Sequence, residues 1–171
     1  MTELVRLYAQ IALLKRGPQD IPASMLVLVA TVLGYFVINF ALSVLLPMPG
    51  PWVGQLVAET VFTLAWYALL LRLAGRPERF AQTSSAVFGY QAVLAPIWVT
   101  SMWIVSRVGK DPTWQFPAVV LAIGLFLWLV TVNTQILRAA LEWPLFVCVG
   151  VVVAQVIVGY LIISALFPVP R

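Results

Sequence analysis

Long apolar runs alternate along this chain with short segments that hold most of its charge. The first run carries no charge from Ile21 to Ala58 and is broken only by the proline-rich turn at 47–51, where a helix cannot continue. The pattern predicts five membrane-spanning helices, at about 24–46, 53–71, 85–105, 117–137 and 144–167. At 1.5 Å per residue each is long enough for a hydrocarbon core of about 30 Å. Pro96 falls near the middle of the third span and predicts a kink, while Pro117 and Pro144 open the fourth and fifth. Residues 3–16 have a different period. Leu4, Leu7, Tyr8, Ile11 and Leu14 share one helical face, with Arg6, Gln10 and Lys15 off it, and Gly17 and Pro18 end the helix. This segment reads as an amphipathic helix in the cytoplasmic interface; the alternative is a helix packed on the bundle's own inner end. Asp20 is the expected N-cap of the first span, with Pro22 in its first turn.

The expected fold is therefore an all-α membrane protein. Residues 1–20 form an interfacial helix, and residues 21–171 form a bundle of five transmembrane helices. Composition agrees: 63% of the residues are hydrophobic and 9% charged, too apolar for a soluble chain of this size to bury. No cleavable signal peptide is legible, so the first span is expected to stay in the membrane.

The formal charge of +4 points to a membrane rather than to nucleic acid, because the cations sit between apolar runs. With the N-terminus inside, Arg6, Lys15, Arg16, Arg72, Arg76, Arg79 and Arg138 are cytoplasmic, while Arg107, Lys110 and Arg171 are outside. That imbalance predicts an N-in, C-out topology. Arg72, Arg76, Arg79, Lys15 and Arg16 are candidates for holding anionic lipid head groups.

There is no histidine, and Cys148 is the single cysteine. Imidazole-based metal sites, triads and proton relays are excluded, as is an intrachain disulfide. No paired acids or nucleophile motif appears, so neither catalysis nor a cofactor is expected. The candidate chemistry lies in polar residues inside the spans. Glu59 and Asn39 are nearly equidistant from the 47–51 turn, each about 10–15 Å below the outer surface. An intramembrane acid usually faces a partner or a water cavity. Glu59 is expected to be neutral and hydrogen-bonded to Asn39 or a backbone carbonyl. It reads as an interhelical hydrogen bond, an ion-coupled site or a contact with another subunit. Gln91 and Asn133 form a second polar level nearer the inside, with Thr131, Thr134 and Gln135 close by; helix glue and a pocket open to the cytoplasm are the alternatives. Gln155 has no evident partner. Arg138 and Glu142 share a turn and could pair. Gly150 and Ala154 suggest close helix packing, whereas Gly50 and Gly54 suit a turn. Trp52, Trp103, Trp114 and Trp143 fall at interfaces, and Trp66, Trp98 and Trp128 lie deeper, as bundle filling.

Arg79-Phe80-Ala81-Gln82-Thr83, followed by Gly89-Tyr90 and then Pro96, resembles the Yip1 domain family of five-span membrane proteins. The resemblance extends over about residues 22–167. It implies five spans, an inside N-terminus and, for a chain with so short a leader, a bacterial relative in an inner membrane. Eukaryotic members are implicated in vesicle traffic and small-GTPase binding, but they carry a long polar N-terminal region that is missing here. Two functional readings follow. One is a non-enzymatic scaffold or accessory subunit that binds a membrane-protein partner, a second copy or lipids. The other is a small ion-coupled permease built on Glu59 and the inner polar cluster.

Overall fold

The computed structural model describes residues 2–46, 51–108 and 112–168. Among these the backbone forms six α-helices and no strand. They are α1 (Thr2–Ala12), α2 (Met25–Leu45), α3 (Trp52–Leu73), α4 (Phe80–Val108), α5 (Pro112–Leu141) and α6 (Leu145–Leu166). Helices α2 to α6 are long and apolar enough to cross a membrane, and they overlie the five expected spans. Two boundaries differ. α4 starts earlier and runs through Pro96 without ending, and α5 starts at Pro112, so Pro117 lies inside it rather than opening it. Residues 47–50 of the expected turn, Lys110, Asp111 and Arg171 lie outside the described residues.

α4 is the centre of the bundle. It packs closely on α2 and α5, α6 packs on α5, and α3 rests more loosely on α4 and α6. Successive spans alternate in direction. Arg79 at the start of α4 meets Ala139 and Ala140 at the end of α5, while Gly54 at the start of α3 faces Phe167 just beyond α6. Outward residues are large and apolar, Leu26 on α2 and Phe146 on α6 being 78% and 87% exposed. In water such faces would aggregate, whereas lipid tails solvate them. The interior is filled by Tyr67, Leu71, Val87, Tyr90, Val132 and Ile136.

α1 forms as its periodicity predicts, and its apolar stripe turns into the bundle. Tyr8, Ile11 and Ala12 are buried in the same core as residues of α3, α4, α5 and α6. The Tyr8 ring lies on Gly89 of α4, and its hydroxyl is 2.6 Å from Thr31 Oγ1 of α2. Trp128 is 40% exposed and does not fill the bundle; its indole N–H donates to the Ala12 carbonyl at 3.1 Å. This packing is that of a helix docked on the bundle.

The helix stops earlier than Gly17. Lys15 N donates to Gln10 O and Leu14 N to Ile11 O, with Leu14 in the left-handed region at φ 60°. Glycine suits that position far better than a branched side chain. Leu14→Gly is therefore expected to stabilise α1 by about 1 kcal/mol, read as slower amide exchange over residues 8–13. Asp20 is not the cap of α2. It ends a short 3-10 turn, Pro18–Asp20, and accepts from Gly17 N at 3.2 Å and from Arg16 at 3.5 Å. Ser24 precedes the first turn of α2, and Gln82 Nε2 ties the Ile21 carbonyl to α4 at 2.8 Å.

Candidate functional site

The loose seating of α3 leaves a cavity of about 580 Å³ among α2, α3, α4, α5 and α6. Asn39, Glu59, Gln91, Asn133 and Gln155 all line it, one from each of the five spans. The two polar levels expected from depth counting are thus parts of one site, and Gln155 gains a place in it. The cavity runs from Leu46 and Trp52 at the α2–α3 end down to Tyr90 and Asn133. Arg72 sits at the opposite end of α3 from Trp52, about 30 Å away at 1.5 Å per residue. The cavity therefore lies toward the end of the bundle away from the arginine loop.

The expected Glu59–Asn39 hydrogen bond is not formed. Asn39 Nδ2 donates instead to Tyr35 O of its own helix, at 2.8 Å. A short amide side chain reaches back one turn more readily than it bridges to α3 across open space. The Glu59 side chain is exposed to the cavity, and no hydrogen bond or ion pair to it occurs among the described residues.

Two buried tyrosines, Tyr67 and Tyr90, lie at the inner end of this region. The Tyr67 hydroxyl donates to Asn133 Oδ1 at 3.4 Å, a long bond. The Tyr90 hydroxyl is fully buried beside Gln91 and Asn133 and is in good hydrogen-bonding geometry with neither. A buried hydroxyl without a firm partner costs about 1–3 kcal/mol. Of the other polar residues on α5, Thr134 is buried, whereas Thr131 and Gln135 are on its exposed face.

Helix contacts around the cavity also differ from expectation. Nothing lies within 4 Å of where a Gly150 side chain would start, so Gly150 and Ala154 are not a packing pair. Gly159 takes that role: a methyl group there would come 3.2 Å from Phe62 of α3. Gly54 similarly receives Phe167, and Trp98 lines the cavity rather than plugging it.

The basic residues divide into two groups. Gly75, at φ 70°, closes α3 through Arg76 N to Leu71 O at 2.8 Å and throws the chain into the arginine loop. Arg79 Nη1 donates to Ala139 O and Ala140 O at 3.1 and 3.0 Å, satisfying carbonyls that the end of α5 leaves open. Glu142, left-handed at φ 59°, is held by Arg76 Nη2 at 2.7 Å and Arg79 Nη2 at 3.1 Å. It pairs with these two and not with Arg138, its expected neighbour. Arg72 and Lys15 remain exposed, and Arg16 reaches only Asp20. Arg79→Ala is expected to destabilise the bundle by about 1–2 kcal/mol, the lower part of the range for charged hydrogen bonds because the guanidinium is part-exposed; thermal unfolding in detergent measures it.

Hydrogen bonds from Arg76 and then Arg79 hold the Glu142 carboxyl down at about 2, against an ordinary 4.5. Because the folded value is depressed, the clamp's contribution is complete above the unfolded value. It is lost as pH falls from about 4.5 toward about 2. Faster proteolysis of the 74–79 loop below pH 4.5 is the expected sign, and Glu142→Gln should remove that pH dependence.

Compared with protein-family models, curated proteins and solved structures, the chain matches none.

Proposed function

We propose that this chain is a small, non-enzymatic permease of a bacterial inner membrane, coupled to an ion through Glu59. One observation carries the reading: a cavity of about 580 Å³ gathers polar residues from every span, including an unpaired acid. Helix glue would be expected to end in side chains bonded to one another, and a cavity of this size is in the range of ligand pockets. The proposal includes the N-in, C-out orientation, with the arginine end cytoplasmic and the cavity mouth outward. α1 then docks from the cytoplasmic side. Likeness to the Yip1 domain family belongs to the same proposal. Three residues that carry it have evident work here, Arg79 at the end of α5, Gly89 beneath Tyr8 and Tyr90 in the cavity.

Proteoliposomes under an imposed proton gradient, given a panel of neutral and charged amphiphilic solutes, test the reading. Uptake of at least one solute is expected to fall about tenfold or more in Glu59→Gln, with the melting curve unchanged. Equal rates for wild type, variant and empty vesicles with every solute would reject a permease. A second membrane protein co-purifying at fixed ratio in mild detergent would support the accessory-subunit reading in its place. Reporter tags active only in the cytoplasm should light up at the N-terminus and stay dark at the C-terminus.

A further inference from the structure

We propose that the cavity binds lipophilic organic monocations, with the positive charge at Glu59 and the apolar body against the aromatic walls. This rests on reading the cavity as a ligand site, and it adds the ligand's chemistry.

Charge comes first. Among the described residues Glu59 is the only acid lining the cavity, and no lysine or arginine lines it. An anion would find no counter-charge there, while a cation finds a carboxyl that no protein group has claimed and, by its own charge, favours the ionised form of that acid. The walls act in the same sense. Tyr35, Trp52, Phe62, Trp98 and Tyr160 line the cavity, and aromatic faces attract a nearby cation through the negative potential above the ring.

The remaining groups set size and polarity. Hard metal ions demand several oxygen ligands at short range, and one carboxylate among dispersed amides does not provide them. No group of three or more metal-ligating side chains occurs among the described residues. A volume of about 580 Å³ suits an organic body instead, since pockets for such ligands span about 300–1,000 Å³. The Asn39, Gln91, Asn133 and Gln155 side chains offer dispersed polar contacts along it.

Two ions of the same shape and opposite charge provide the test. The full-length protein in mild detergent is dialysed to equilibrium against tetraphenylphosphonium or tetraphenylborate. Saturable binding of the cation is expected, about tenfold or more tighter than binding of the anion. Glu59→Gln should weaken cation binding by about tenfold, and Trp98→Ala by about threefold. Equal retention of the two ions by the wild-type protein would overturn the proposal without recourse to any variant. So would a well-folded Glu59→Gln protein that binds the cation like wild type. The two proposals fail separately. Glu59-dependent solute uptake without tetraphenylphosphonium binding overturns the ligand class alone. Saturable, Glu59-dependent binding without flux of any solute overturns the permease and sustains the ligand class.

Discussion

Replacing Gly89 by leucine is expected to expel α1 from the bundle. Even one methyl group at this position would overlap the Tyr8 ring, and the ring cannot swing away without breaking its hydroxyl contact with Thr31. Behind it, α4 is locked against α2 and α5, so its backbone cannot yield. The cost falls on α1, which is short and would surrender the burial of Tyr8, Ile11 and Ala12. Large-to-small changes at buried aliphatic or aromatic sites typically cost a few kcal/mol, and losing the whole contact should cost about 3 kcal/mol or more. A cysteine placed at Ile11, in a protein whose buried Cys148 is changed to alanine, would report the event. It should resist a water-soluble maleimide in the parent and react rapidly in the Gly89→Leu protein. Continued protection would show that α1 can repack around a larger side chain. Tyr8→Ala in the same background should restore docking in part by opening the space the leucine needs.

Glu59→Lys is the second large effect, and its contrast with Glu59→Gln is the informative part. The carboxylate forms no bond that glutamine would lose, so Glu59→Gln should change stability by less than about 1 kcal/mol. Lysine replaces the one acid that lines the cavity among the described residues with a cation and extends a longer side chain into it. Placing such a cation at a helix centre costs about 2.5–3.5 kcal/mol on the insertion scale, and the open cavity relieves only part of this. Thermal stability in detergent should fall by about 2 kcal/mol, and cation binding should become undetectable, a loss of about a hundredfold or more. Equal damage from glutamine and lysine would mean that the acid supports the fold, contrary to its lack of partners.

The spans were legible because their signal is simple. A run of some twenty apolar residues bounded by charge or proline has few solutions in a membrane. Glu59, Asn39, Gln91 and Asn133 stood out for the same reason, as polar groups in a solvent that penalises them. Their pairing was not legible. Depth counting places residues along the membrane normal but says nothing of rotation about each helix axis. The count thus put Asn39 level with Glu59, while the rotamer of Asn39 sends its amide to Tyr35. The same gap explains Gly150, small and at a suggestive spacing but facing outward, and Gly159, which meets Phe62. Glu142 followed the pattern too, its sequence neighbour Arg138 losing to arginines that are remote in the chain.

The order of hydrophobic and polar residues alone determined that this is a helical membrane protein with five spans. Transfer of each segment into lipid is a local matter, summed residue by residue. Which faces of those helices meet is a collective matter, settled by how side-chain shapes fit across α4. Only the assembled bundle could decide that α1 docks on Gly89, that Arg76 and Arg79 hold the end of α5, and that the gap beside α3 unites four amide side chains with an unpaired acid.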